Sequence, residues 1–258
     1  MSRVSNEEKR RSRILSLISL PRRHMFTQNF ANVRIVKLRS QFAIKRLLDI
    51  SLASFGLLLS APFFLLLAIL VRLESPGASF FRQLRSGRLG RPFVMFKFRT
   101  MYEGVPHVRN ADGSAFVGRG DPRITQLGRF LREFSIDELP QLFNVLRGDM
   151  SLIGPRPETI EYTAELPDWA RLKLQVRPGC LSLGLIHGRN ELSWKERNEM
   201  DVWYVQNYSL WLDVRLLLLG IWAMVVTRRG VYSPERLQNA QPVAGLVNAD
   251  REAEVKYS

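Results

Sequence analysis

The most informative stretch of the chain reads SIDELPQLFNVLRGDMSLIGPRP and covers residues 135–157. Two adjacent carboxylates, Asp137 and Glu138, precede apolar residues at helical spacing, which predicts a helix that begins near Ser135. In its first turn they would lie beside unpaired backbone N–H groups, where anions are stabilised. The stretch ends in Gly-Pro-Arg-Pro, in which two prolines fix the backbone around Arg156. Carboxylates that can hold a metal, a helix N-terminus and a rigid guanidinium together suit phosphoryl transfer.

A simpler interpretation is a capping box, in which Ser135 and Glu138 exchange hydrogen bonds at a helix start and take no part in chemistry. Such boxes are common, so the pair alone does not indicate a site. The whole run favours chemistry, because it closely resembles the signature of the bacterial sugar transferases, the monotopic polyprenyl-phosphate phosphoglycosyl transferases. The resemblance covers roughly residues 43–230 and includes residues 96–101, 121–125, 127–129 and 177–179.

The resemblance implies a phosphoglycosyl transferase. Such an enzyme moves a sugar-1-phosphate from a nucleoside-diphosphate sugar, here expected to be a UDP-sugar, to polyprenyl (undecaprenyl) phosphate and releases nucleoside monophosphate. It would initiate exopolysaccharide, capsule, O-antigen or glycoprotein glycan synthesis. The resemblance also implies that Asp137 forms a phospho-aspartyl intermediate and that Glu138 holds Mg²⁺. The residues expected at the substrate phosphates or nucleotide are Arg132, Pro155, Arg156, Arg189, Lys97 and Arg99.

One segment departs from the family pattern. After residues 177–179 the family usually has Thr and Gln where this chain has Leu181 and Leu185. Because a site without a hydrogen-bonding group cannot use it to select a donor, we expect a changed donor preference or slow turnover. The competing interpretation is that both leucines pack in the core. The alternative function is a catalytically silent membrane scaffold of the same fold. The retained carboxylate pair argues against that alternative.

The charge balance predicts an anionic partner. The chain has 258 residues and a formal net charge of +14, and residues 1–49 hold twelve Lys or Arg against three acidic residues. No nucleic-acid-binding motif accompanies this charge, so anionic membrane lipids are favoured over nucleic acid. The single cysteine, Cys180, excludes a disulfide framework and indicates a reducing compartment.

An apolar block over residues 50–71 carries no charge, and fourteen of its residues are Leu, Ile, Phe or Val. It is just long enough to span the hydrocarbon. However, Pro62 lies near its middle and basic residues flank both ends, which favours a re-entrant helix with both ends on the cytoplasmic face. We expect the bend at Ser60 and Pro62, with the Ser60 hydroxyl pairing the carbonyl that Pro62 frees near Leu58. An ordinary spanning helix is the alternative.

These patterns predict an α+β, mostly helical fold. It comprises a small membrane-associated catalytic domain with one re-entrant N-terminal membrane helix and a short β-hairpin. The expected location is the bacterial inner (cytoplasmic) membrane, with the catalytic domain on the cytoplasmic face. The oligomeric state stays open, with a homodimer as one option. The expected parts are a basic extension that can lie in the membrane interface (1–42), the re-entrant helix (43–74), the cytoplasmic phosphoglycosyl transferase domain (75–232) and a disordered tail (233–258).

Within the catalytic domain, the sequence predicts several finer elements from its periodicity and its turn residues. They are a hairpin over 78–101, a loop over 102–120, a helix over 124–134, a helix over 158–175 that is interrupted at Pro167, and a buried or interfacial helix within 210–226.

Overall fold

The computed structural model describes residues 39–106, 108–109, 121–187, 192–222 and 241–242. The expected N-terminal extension to residue 38, most of the loop over 102–120, Arg189 and most of the tail lie outside the described residues. Within the tail, Gln241–Pro242 pair antiparallel with Val108–Arg109.

The described fold is mostly helical, with a short antiparallel hairpin, as predicted. The helices are α1 (Arg39–Glu74), α2 (Gln126–Glu133), α3 (Gln141–Arg147), α4 (Ile160–Ala164), α5 (Asp168–Arg171), α6 (Leu183–His187), α7 (Trp194–Gln206) and α8 (Leu210–Trp222). The strands are β1 (Phe80–Ser86), β2 (Pro92–Phe98), β3 (Val108–Arg109), β4 (Ser151–Ile153), β5 (Gly179–Leu181) and β6 (Gln241–Pro242).

Strands β1 and β2 form the predicted hairpin, in which Phe80 lies opposite Phe98. Strands β4 and β5 pair in parallel, and Ser151 lies opposite Gly179. The predicted interruption at Pro167 is present, because this residue caps the start of α5 and separates it from α4.

Helix α1 places one stripe against the domain and exposes the rest of its surface. Ala53 and Val71 are buried, whereas large apolar side chains around the remaining circumference are exposed, among them Leu58 at 77% and Leu73 at 78%. Among the described residues, α1 is the one helix long and apolar enough to cross a membrane. Its 36 residues extend about 54 Å, more than the ~30 Å of a hydrocarbon core.

Pro62 lies inside α1, and the helix continues on both sides of it. The Ser60 hydroxyl donates to the carbonyl of Gly56 at 2.7 Å and lies 3.3 Å from that of Leu57, not at the expected carbonyl of Leu58. A serine hydroxyl in a helix reaches back three or four residues, and Leu58 is only two residues away. The expected partner of Ser60 was therefore wrong.

Two apolar clusters join α1 to the hairpin. Ala53 packs with Phe93, Met95, Val145 and Met150, between α1, β2 and α3. The second cluster lies between the C-terminal half of α1, β2 and α2, and its buried members are Val71, Phe98 and Leu131. Because successive residues of β2 point to opposite faces, this one strand contributes to both clusters.

A buried amide fixes α3 against the free edge of β2. Asn144 is fully buried. Its side chain accepts a hydrogen bond from the N–H of Phe96 at 3.0 Å and donates to the carbonyl of Val94 at 2.6 Å. These are the two groups that a third strand would pair, so the amide satisfies an edge that would otherwise be buried without partners.

Two arginines connect α1 to the domain by capping helix ends. Arg46 of α1 donates to the carbonyls of Val145 and Leu146 at 2.6 and 2.9 Å, at the end of α3. Arg99, which follows β2, donates to the carbonyl of Ser75 at 2.7 Å, just after the end of α1. Cations at helix C-termini satisfy unpaired carbonyls and favour the negative end of the dipole.

We predict that Asn144→Leu destabilises the protein, because it leaves the buried N–H of Phe96 and the carbonyl of Val94 without partners. The expected loss is about 2–5 kcal/mol in the free energy of unfolding, or a melting temperature lower by roughly 5–15 °C. The measurement is thermal unfolding followed by circular dichroism in detergent.

The matched control is Asn207→Leu, because Asn207 is an exposed asparagine that bonds the carbonyl of Trp203 within its own helix turn. It should change the free energy of unfolding by no more than about 0.5 kcal/mol. Equal melting temperatures for the two variants would contradict the role of Asn144.

Candidate active site

The adjacent carboxylates lie in a 3₁₀ turn, Ile136–Glu138, whereas the sequence predicted the first turn of an α-helix. Pro140 explains the difference. It has no N–H to donate to the carbonyl of Ile136, which favours a break in the helix at this point, and α3 begins at Gln141.

Ser135 adopts a left-handed backbone conformation with φ 56° and ψ 24°. Its side chain makes no capping hydrogen bond, so the capping-box interpretation of the pair Ser135 and Glu138 is not realised. A non-glycine residue in this conformation costs about 1–3 kcal/mol. The strain lies directly before the carboxylates, where the chain leaves α2 and turns into α3.

Asp137 is buried, with 8% of its surface exposed. Burial, followed by repulsion from the Glu138 carboxylate, raises the pKa of Asp137 to about 6, and the nearby charges of Lys97 and Arg132 offset part of this rise. Asp137 is therefore poorly solvated and ionises near neutral pH, which suits a nucleophilic carboxylate.

Two cations from neighbouring elements accompany the carboxylates. Lys97 of β2 donates to Glu138 Oε1 at 2.7 Å. Arg132 of α2 donates to the hydroxyl of Thr100 at 2.7 Å. Gly128 allows α2 to come this close, because a Cβ atom there would lie 2.2 Å from the carbonyl oxygen of Thr100. The structure thus brings together four predicted site residues: Lys97, Arg132, Asp137 and Glu138.

The Gly-Pro-Arg-Pro turn follows β4, where two backbones meet at glycines. A Cβ atom at Gly179 would lie 2.1 Å from the nitrogen of Gly154, so neither position has room for a side chain. Pro155 is almost completely buried, and its carbonyl accepts the N–H of Gly179 at 2.8 Å. The N–H of Arg156 lies 3.2 Å from Asp201 Oδ2. The predicted Pro155 and Arg156 are thereby held in a rigid turn.

Sequence reasoning missed the buried polar residues that support the site. They are Thr100, Asn144, Lys173, Asn198 and Asp201. For Asn144 a signal existed, since an amide in the apolar run LFNVL is costly to bury without partners. Lys173 and Asp201 belong to short or weakly periodic segments, and their pairing joins residues 28 apart in the chain.

Arg99 was predicted at the substrate phosphates, and in the structure its guanidinium lies at the end of α1. Its guanidinium donates to the carbonyls of Val71, Ser75 and Pro76, and only 8% of the residue is exposed. The carbonyl groups at the end of a helix have no partner within the helix, and here they accept hydrogen bonds from the guanidinium of Arg99.

Leu181, expected near the donor, packs against α8. A Cβ atom built at Gly220 would lie 2.8 Å from Leu181 Cδ1. This contact favours a packing role for Leu181. The backbone N–H of Leu185 lies 3.2 Å from the hydroxyl of Ser182.

The carboxylates suit a metal that is shared with a substrate. Among the described residues, no group of three or more His, Cys, Asp or Glu could hold an ion by itself. Mg²⁺ commonly uses one or two carboxylates and takes its other ligands from water and substrate phosphates. A cation beside Glu138 would also relieve the repulsion that raises the pKa of Asp137. The residues therefore fit Mg²⁺ through Glu138.

A family model described as bacterial sugar transferase matches residues 40–227. The chain belongs to the bacterial sugar transferase family. It is 40% identical over 184 residues to an uncharacterized sugar transferase of Bacillus subtilis. The aligned region covers 71% of this chain and 88% of that protein. It is 43% identical over 195 residues to the UDP-glucose:undecaprenyl-phosphate glucose-1-phosphate transferase of Caulobacter vibrioides, which covers 71% of this chain and 70% of that protein.

An undecaprenyl-phosphate galactose phosphotransferase of Salmonella typhimurium is 37% identical over 206 residues, which cover 75% of this chain and 43% of that protein. These relatives confirm the predicted enzyme class, a phosphoglycosyl transferase. The alternative of a silent scaffold finds no support among them.

We predict opposite shifts of the Asp137 pKa in two variants of the metal-free protein. Glu138→Gln removes the neighbouring negative charge and should lower this pKa below about 6. Lys97→Met removes a positive charge and should raise it. The measurement is a pH titration of ¹³C-carboxyl-labelled aspartate by NMR, with Asp137→Asn to assign the resonance. Shifts in the same direction, or none in Glu138→Gln, would contradict this electrostatic account.

Proposed function

We propose that this sugar transferase moves a sugar-1-phosphate from a UDP-sugar to undecaprenyl phosphate and releases UMP. The observation that carries the proposal is a buried, poorly solvated Asp137 beside Glu138, Lys97 and Arg132. The Caulobacter and Salmonella relatives, which are named for transfer to undecaprenyl phosphate, support the same acceptor. The product would enter exopolysaccharide, capsule or related glycan synthesis.

In the first step, a carboxylate oxygen of Asp137 attacks the phosphorus that bears the sugar. The new bond joins this oxygen to phosphorus, and the diphosphate bond to the nucleotide breaks, so UMP leaves with the electron pair. Above about pH 6, Asp137 is mainly ionised and needs no separate base. Its burial means that little water must be removed before attack.

Positive groups stabilise the charge that develops at the phosphoryl oxygens. Arg132 reaches the carboxylate turn from α2, and Arg156 projects from a turn whose backbone is fixed by prolines. Lys97 neutralises Glu138 in the metal-free site. Mg²⁺ bound through Glu138 would supply further neutralisation of the diphosphate. We propose that Lys97 then turns from Glu138 towards a substrate phosphate.

In the second step, an oxygen of undecaprenyl phosphate attacks the phosphorus of the sugar-phospho-aspartyl intermediate. The bond between Asp137 and phosphorus breaks, which regenerates the carboxylate and yields undecaprenyl-diphosphate-sugar. Because the acceptor phosphate takes the position vacated by UMP, the same cations serve both steps.

Asp137→Asn should abolish release of UMP from UDP-sugars, with turnover at least about 10³-fold below wild type, because an amide oxygen is a poor nucleophile. The measurement is UMP release from a panel of UDP-sugars with undecaprenyl phosphate. Asp168→Asn is the matched control, since the Asp168 side chain is fully exposed, and it should retain turnover within about twofold. Turnover of Asp137→Asn near the wild-type rate would show that Asp137 is not the nucleophile. If the wild-type protein releases no UMP, the alternative of a silent scaffold is favoured.

We propose a monotopic arrangement on the cytoplasmic face of the inner membrane, and the contacts of α1 support its monotopic character. Near its start, Lys45 pairs with Asp213 at 2.5 Å. At its end, Glu74 accepts the N–H of Leu127 at 2.8 Å. Because both ends are tied to the same domain, a crossing that separates them would have to break one set of contacts.

The exposed apolar surface of α1 and that of α8 provide the membrane contact. In α8, Leu212 and Leu216 are buried while Trp211 and Leu218 are 68% and 63% exposed, as expected for an interfacial helix. We propose that anionic lipids meet the basic residues of the N-terminal segment, where twelve Lys or Arg occur within residues 1–49.

We predict that both ends of α1 are labelled from the same side of sealed vesicles. The variants are Ala43→Cys and Arg72→Cys in a Cys180→Ser background, because Ala43 and Arg72 are exposed at opposite ends of the helix and lie outside its large apolar surface. A membrane-impermeant maleimide should modify both sites in inside-out vesicles and neither in right-side-out vesicles. Labelling of the two sites from opposite sides would establish a spanning helix.

A further inference from the structure

The turn that carries Arg156 has very few backbone donors. In residues 155–157 only Arg156 has a backbone N–H, because both of its neighbours are prolines. That N–H is directed at the carboxylate of Asp201 in α7, with distances of 3.3 Å to Oδ1 and 3.2 Å to Oδ2. A hydrogen bond to a carboxylate is stronger than one to a neutral acceptor, so this contact is well suited to fix the turn.

Asp201 is itself held by a buried lysine. Lys173 Nζ lies 2.7 Å from Asp201 Oδ2, 2.9 Å from Asn198 Oδ1 and 3.4 Å from Glu158 Oε1. Lys173 and Asp201 are 3% and 2% exposed. The three donor positions of the ammonium group are thus directed at three acceptors, which leaves the Asp201 carboxylate little freedom to move.

Stability alone is a weak reason for burying these charges. Apolar replacement of a whole buried ion pair is often neutral or stabilising, because the desolvation cost of two ions offsets their attraction. The contact of Asp201 with the backbone of Arg156 is a better reason for burying the Lys173–Asp201 pair. Small displacements of a group that stabilises a transition state reduce the rate strongly, so a fixed backbone has kinetic value.

We propose that Asp201, fixed by Lys173, is a positioning residue that sets Arg156 against the transferring phosphoryl group. The inference rests on the proposed function, in which Arg156 neutralises charge that develops during transfer. Asp201 acts through the backbone of Arg156 and does not touch the substrate.

Two double variants separate positioning from folding. Lys173→Met with Asp201→Asn removes both charges but keeps an oxygen that can accept the N–H of Arg156. Lys173→Met with Asp201→Leu removes the charges and the acceptor. Neither variant leaves an unpaired member of the Lys173–Asp201 pair, and both lose the contact of Lys173 with Glu158 equally, so both are expected to fold. The Leu-containing variant should melt at a somewhat lower temperature, because the N–H of Arg156 loses its acceptor.

The measurement is steady-state release of UMP with undecaprenyl phosphate and the UDP-sugar that wild type turns over fastest. The Asn-containing variant should keep kcat within about fivefold of wild type. The Leu-containing variant should lose about 10–100-fold in kcat, with KM for the UDP-sugar changed less than about threefold. Equal kcat values in the two variants would overturn the proposal, as would a Leu-containing variant that differs only in melting temperature.

The same pair of variants is then compared in an Arg156→Ala background. If Asp201 acts through Arg156, the difference in kcat between them should disappear, because the displaced side chain is no longer present. A difference that persists would show that Asp201 acts by another route and would also overturn the proposal.

Arg156→Ala alone tests the proposed role of Arg156 and should lower kcat by about 10²–10³-fold. If Arg156→Ala turns over like wild type, the assigned role of Arg156 is wrong. If instead the two double variants have equal kcat values while Arg156 is present, only the positioning role of Asp201 is wrong.

Discussion

The amide of Asn144 at the free edge of β2 is the contact on which the rest of the site depends. Within the part of the chain that the structure describes, strand β2 pairs with another strand on one side only. On the other side the amide pairs the N–H of Phe96 and the carbonyl of Val94. This contact sets α3 against the strand that carries Lys97. The carboxylate turn immediately precedes α3. The distance of 2.7 Å between Lys97 and Glu138 therefore depends on the contact of Asn144 with β2.

Helix α1, which we propose lies in the membrane, is an integral part of this arrangement. Its buried stripe enters both apolar clusters, and both clusters also contain residues of β2. Arg46 and Arg99 connect helix ends across the boundary between α1 and the domain. In the proposed arrangement, a bilayer that holds α1 would also fix the orientation of the hairpin and of the carboxylates, which would suit the proposed acceptor, a membrane lipid.

The sequence predicted the elements that have strong local signals. Alternating apolar residues and the intervening glycines predicted the hairpin, and the apolar block predicted α1. The carboxylate pair, Lys97 and Arg132 do come together. The sequence does not reveal which acceptors a donor group will use where several are within reach. Arg99 has the same chemistry as the other site arginines, and only the fold reveals that the end of α1 lies within its reach.

Backbone details were also beyond the sequence. The pattern after Ser135 is that of a capped helix, yet Pro140 has no N–H for an α-helical bond to Ile136 and the first turn has 3₁₀ geometry. Ser135 adopts a left-handed conformation that the sequence pattern does not indicate. The supporting pair of Lys173 and Asp201 joins segments far apart in the chain, for which a single sequence gives no signal.

The central claim is that Asp137 becomes covalently attached to the sugar-phosphate. It is tested most directly by incubating the protein with a UDP-sugar alone, followed by acid quench, proteolysis and mass spectrometry of the peptide that contains residues 135–147. The account predicts a sugar-phosphate adduct on Asp137 that disappears when undecaprenyl phosphate is added. An adduct on another residue, or rapid turnover with both substrates and no adduct with the UDP-sugar alone, would contradict it.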